Sequence, residues 1–177
     1  MSSIPIKMDS IIKHYFNKYR EQGELPPIIK GQITGKLAVD MPKTLTYKED
    51  NGITIWGRPD EYFELKDKSI VAFDHKTKSK APETVHSSYQ LQLDVYSYLL
   101  KALGYKTTNK AYLAFYYPDD CDLHNGMCIH CKVIEVQTNL SNTKELVNKA
   151  YKVLNEPMPQ HSDNCGYGKW SEETLKI

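Results

Sequence analysis

The chain has 177 residues, 40% of them hydrophobic and 25% charged, with a net charge of +1. That is enough for one domain with a full core, and it excludes intrinsic disorder and the strongly basic balance of a protein that coats nucleic acid. No apolar run reaches the length that crosses a membrane, and Met1 to Lys7 lacks a signal-peptide layout, so a cytoplasmic location is expected.

The first predicted element is a helix from about Asp9 to Arg20, capped by Asp9 or Ser10. Ile11, Ile12, Tyr15, Phe16 and Tyr19 recur in it at helical spacing. Gly23 ends it, and Pro26-Pro27 opens an extended segment. Thr44 to Lys48 and Ile53 to Trp56 alternate around Asn51-Gly52, a hairpin signal. Tyr62 to Leu65 and Ile70 to His75 flank the turn Lys66-Asp67-Lys68 as a second hairpin. A long helix from about Val85 to Leu103 follows, with Leu91, Val95, Leu99 and Ala102 as its apolar stripe and Gly104 as its stop. Ala111 to Tyr117 and Val133 to Gln137 read as strands, and Thr143 to Leu154 as a closing helix that Pro157 and Pro159 do not let continue. The tail from Gln160 to Ile177 carries weak signals and is expected to be partly irregular. The order implies α/β architecture, with a mixed central sheet of four to five strands covered by helices, in a single domain over residues 1–177.

Two strand ends carry charge. Gly57-Arg58-Pro59-Asp60 closes one predicted strand, and Asp74-His75-Lys76 closes the next apolar one. Residues i and i+2 of a strand share a face, so Asp74 and Lys76 point one way with Ile70 and Ala72, and Phe73 and His75 point the other. Left unpaired against a core, such charges would cost on the order of 3–5 kcal/mol. A hard divalent cation removes the difficulty: Asp60 and Asp74 supply carboxylate oxygens, the His75 carbonyl a further ligand, and Lys76 offsets charge on a phosphate or positions a water. An ion pair on an edge strand is the plainer explanation for D-x-K alone.

The following helix holds Gln92 and Tyr96 on one face. With these residues in order (Gly57 to Asp60, Asp74 to Lys76, Gln92 to Tyr96), the chain resembles the PD-(D/E)XK nuclease superfamily, in particular its RecB-like branch, which includes CRISPR-adaptation exonucleases. The motifs cover residues 57–96, and with the flanking strands and helices the resemblance spans residues 44–155. It implies a restriction-endonuclease-like three-layer α/β/α fold, with the site at one sheet edge, and cleavage of DNA dependent on Mg2+ or Mn2+. It makes Asp60 and Asp74 the metal ligands and Lys76 the catalytic lysine. Gln92 and Tyr96 then line the site or contact the nucleic acid, although a helix-to-sheet hydrogen bond with core packing explains them equally well. Lys78, in the alternating run Lys76, Lys78, Lys80, would meet phosphates, or the run is a solvated loop.

The pattern departs from these relatives in two places. They often carry another metal ligand in or after the first helix, and the nearest candidates, His14 and Glu24, sit in no convincing motif. Some hold an iron–sulfur cluster on one N-terminal and three C-terminal cysteines. Here no cysteine precedes Cys121 and only Cys165 lies near the end, so a cluster of that type is not expected. Cys121, His124, Cys128 and Cys131 could ligate a structural Zn2+, but a polar hairpin loop turning at Asn125-Gly126 is the favoured reading. The functional alternatives are a non-catalytic nucleic-acid-binding or interaction module, and a subunit that needs a helicase or another nuclease-complex chain as its protein partner.

Overall fold

The computed structural model describes residues 3–158 and 160–174. The chain divides into two compact units, Met1–Thr143 and Lys144–Ile177.

The first unit begins with α1, Ile4–Gln22. This helix starts earlier than expected, because Pro5 fits its first turn, where no N–H is required; Asp9 is an interior residue paired with Lys13, not a cap. Gly23 ends α1 in the left-handed conformation, at φ 70. Pro27–Ile29 closes a 3-10 turn where an extended segment was expected. The short strand β1, Lys36–Leu37, has too little sequence to announce itself. Strands β2, Leu45–Lys48, and β3, Thr54–Gly57, form the first expected hairpin, as a separate two-stranded sheet. Strands β4, Glu61–Glu64, and β5, Ile70–Thr77, form the second. Helix α2, Ser87–Ala102, leads to β6, Lys110–Pro118, and β7, Ile129–Gln137.

The main sheet has the order β1-β4-β5-β6-β7 and is mixed: β5 and β6 run parallel and the other pairs antiparallel. A parallel pair needs a crossover, and α2 supplies it. Strand parity then sorts the core. Val71 and Phe73 join Phe63, Tyr112 and Ala114 against Ile12 and Phe16 of α1. Ala72 joins Leu113 and Phe115 against Leu93, Tyr96 and Leu100 of α2. The first unit is thus helix, sheet, helix. The apolar stripe of α2 is rotated from the expected one: Leu93, Tyr96, Leu99 and Leu100 are buried, whereas Leu91 is 40% exposed. Tyr96 and the flanking Leu side chains offer more area to the sheet than Leu91 and Ala102 do, and packing area sets the rotation.

Helix α3, Leu140–Asn155, starts in the first unit and continues into the second, which also contains α4, Gly166–Thr174. The tail is therefore more regular than expected. Its helix starts where the Cys165 Sγ accepts the Gly168 N–H at 3.3 Å, and His161 meets Glu172 at 2.7 Å. Among the described residues, no helix is long and apolar enough to cross a membrane.

Candidate active site

The antiparallel register of β4 and β5 pairs Glu61 with Phe73, so Asp60, one residue before β4, comes up beside the Asp74 end of β5. Asp60 Oδ2 accepts the His75 backbone N–H at 3.0 Å, a direct bond between the two motifs. Asp74 is 2% exposed, and the Lys76 ammonium on the same strand face pairs with it. Strand β5 is the third of five, so this pair is not on an edge strand and the site is not at a sheet edge: it lies at the end of a central strand.

The charges are unequal in their surroundings. Burial pushes Asp74 up to about 6, and the neighbouring Asp60 charge adds to this against the pull of Lys76. Asp60 is also partly buried, but the His75 N–H and the Lys13 ammonium, 3.2 Å from Oδ1, outweigh burial and hold it below the usual carboxylate range. Among the described residues Asp74 Oδ2 makes no hydrogen bond, and the Lys76 ammonium is its ion-pair partner.

Helix α2 ties the motifs together. Gln92 donates to Asp74 Oδ1 at 3.4 Å and to the Tyr96 hydroxyl at 2.7 Å, and that hydroxyl donates to the Arg58 carbonyl at 3.1 Å. The Tyr96 ring is buried against Gly57: a Cβ on Gly57 would stand 2.8 Å from it. The Gln92–Tyr96 pair therefore makes the helix-to-sheet bond that the sequence left open. Lys78 is exposed, with its ammonium 5.0 Å from the centre of the Tyr89 ring; Lys76 lies at the same distance from that ring.

Other candidates separate. His14 and Glu24 are exposed on and after α1, and among the described residues the side chain paired with Asp60 is Lys13. Cys131 is a strand residue paired with Tyr116, and its side chain turns into the core on the α1 side, where burial raises the thiol to about 11. Cys121 stays in the β6–β7 connection and accepts the Cys128 N–H at 3.0 Å. The four Cys/His residues are thus not brought to one point, and among the described residues no three His, Cys, Asp or Glu side chains converge as a metal cluster. The hairpin itself dictates this, since the strand begins at Ile129 and takes Cys131 with it.

Three residues that the sequence did not single out border the site. Lys13 flanks Asp60, and Arg20 pairs with Glu61, which is 3% exposed. Glu61 Oε1 stands 3.9 Å from the His75 ring, whose Nδ1 meets the Tyr116 hydroxyl at 3.1 Å. The spacing of Lys13, Phe16 and Arg20 along one face of α1 was the available signal.

The family model of the PD-(D/E)XK nuclease superfamily matches residues 9–171, and the chain belongs to that superfamily. No curated protein matches it. Among solved structures, the crystal structure of SSO0001 is similar, with a TM-score of 0.51 and 14% identity over 96% of this chain and 70% of that one. Likeness at that identity shows the shared fold.

The site residues fit a hard divalent cation. Two carboxylates meet at adjoining strand ends, one of them short of hydrogen bonds and disfavoured as a bare anion by burial. Mg2+ needs only one or two carboxylates from a protein and keeps waters in its remaining positions, so the absence of a third acidic or imidazole ligand among the described residues is compatible with it.

Proposed function

We propose that the protein is a metal-dependent deoxyribonuclease of the RecB-like type, hydrolysing DNA phosphodiesters as an exonuclease. The observation that carries the reading is the meeting of Asp60 and Asp74 with Lys76 on the Asp74 face, braced by Gln92 and Tyr96. Asp60, Asp74 and the His75 carbonyl would hold Mg2+ or Mn2+. Such a cation, when bound, supplies Lewis-acid charge at a phosphate oxygen and makes a coordinated water more acidic.

The chain's own groups do the rest. Lys76, released from its pairing with Asp74, turns its ammonium to the phosphate oxygens, where negative charge grows during displacement. Gln92 fixes one Asp74 oxygen, and the other, freed from the Lys76 ammonium, would turn to the cation. Lys78 offers a second ammonium to the strand from the same side of the sheet.

The test is cleavage of end-labelled single- and double-stranded DNA with Mg2+, Mn2+ or chelator. Products are expected only with metal. Asp74→Ala is expected to fall to background, and Lys76→Ala to lose about 10²–10³-fold in kcat. A folded wild-type protein that cuts neither DNA in any condition would sink the reading.

A further inference from the structure

A cavity of about 370 Å³ opens beside Asp60, between α1, the segment around Met41 and the residues leading into β4. This volume lies in the range of small-ligand sites. Four cations line it against three carboxylates. Two of the cations are committed: Lys13 to Asp9 and Asp60, and Arg20 to Glu61. Among the described residues, Arg58 and Lys43 have no carboxylate, and Asp40 has no cation, within ion-pair distance.

The backbone that carries Arg58 is unusually well fixed. Its carbonyl accepts the Tyr96 hydroxyl at 3.1 Å, Gly57 before it is packed on the Tyr96 ring, and the buried Pro59 after it has a locked φ. The side chain, by contrast, is exposed and unpaired. A guanidinium launched from a rigid backbone two residues before a candidate metal ligand has no evident structural duty. Its planar fork matches the oxygens of a phosphate.

We infer that this cavity binds a phosphate group of the substrate strand next to the scissile bond, with Arg58 as its principal ligand. The inference rests on the nuclease reading and adds a subsite to it. Lys43 adds charge at the outer wall, and Lys13 keeps Asp60 from repelling the incoming phosphate. The carbonyl bond to Tyr96 does not involve the Arg58 side chain, so changing that side chain leaves the fold intact.

The test is anisotropy of a labelled DNA oligonucleotide with the full chain in chelator, where no cleavage occurs, as salt is raised. Arg58→Ala is expected to weaken binding roughly tenfold for every sequence, and to flatten the plot of log affinity against log salt by about one. Arg58→Lys is expected to restore the slope, and Lys101→Ala, on the exposed side of α2, to leave both unchanged. Affinity and slope of Arg58→Ala equal to wild type would overturn the subsite, as would a flattened slope that Arg58→Lys does not restore. If the wild type cleaves DNA while Arg58→Ala binds normally, only the subsite fails. If the wild type neither binds nor cleaves, the nuclease reading fails with it.

Discussion

Asp94 takes no part in the proposed chemistry, yet it is 1% exposed. Its oxygens accept the Gln90 side chain at 2.8 Å, the Asn139 backbone N–H at 2.9 Å and the Asn142 side chain at 3.4 Å. It therefore holds the exit of β7, where Asn139 caps α3, against α2. Asp94→Ala leaves those donors unanswered and is expected to lower stability by about 1–3 kcal/mol, with Asp94→Asn milder, as read by urea unfolding. Arg20→Ala isolates the buried Glu61 carboxylate. The cost is expected to be about 2–3 kcal/mol, below the figure for a fully buried pair because Arg20 is a quarter exposed. An unfolding midpoint unmoved in either variant would remove that residue from the structural account. At this scale fixed spacing on one strand or one helix made the Asp74–Lys76 and Gln92–Tyr96 pairs legible, and the motif order of the resemblance added Asp60 as a candidate. Lys13, Arg20 and Glu61 stayed hidden: helical spacing puts Lys13 and Arg20 on one face of α1, but what joins that face to Asp60 and Glu61 is the crossing of α1 over the sheet, a tertiary fact.

Elements were legible where apolar residues run or alternate between turn signals. β4 and β5 are buried on both faces and flank a polar turn, with Lys68 in the left-handed conformation at φ 67, and both hairpins pair as the turn residues imply. β1 has two residues and no pattern, and the rotation of α2 is fixed by contact area that periodicity alone does not rank. The approach of β3 to α2 gives a test. A Cβ at Gly57 would meet the Tyr96 ring at 2.8 and 2.9 Å and Leu99 at 3.2 Å. Gly57→Ala is expected to cost about 1–3 kcal/mol and, by shifting Tyr96 off the Arg58 carbonyl, to lower DNA affinity in the same assay that tests Arg58. Normal stability with normal binding would show that α2 can give way without consequence.

For the molecule as a whole, the α/β/α class was readable because strands, a long helix and further strands can bury their faces in few ways. The proposed cation site would be a property of the folded state alone, since Asp60 and Asp74 come together only when β4 pairs with β5. A metal that binds the native state and not the unfolded one stabilises it by about 2.7 kcal/mol at a hundredfold excess over Kd. For a chain of this length, a rise in Tm of roughly 5–10 °C on adding Mg2+ in place of chelator is expected. Asp74→Asn should abolish the rise. A rise that survives in Asp74→Asn would put the bound ion elsewhere.

The geometry of His75 makes it a natural spectroscopic reporter. Its ring is packed against Phe16 and Phe73 on the α1 side, while its amide proton is held by Asp60 on the way into the site. One residue therefore carries two resonances in two environments. In an isotope-labelled sample, the amide cross-peak would move if Asp60 takes up a cation, and the imidazole signals, whose ring feels the Asp60 and Asp74 charges, would report the same event from the other face of the strand. Occupancy of the centre could then be followed in solution without substrate and without altering a single side chain.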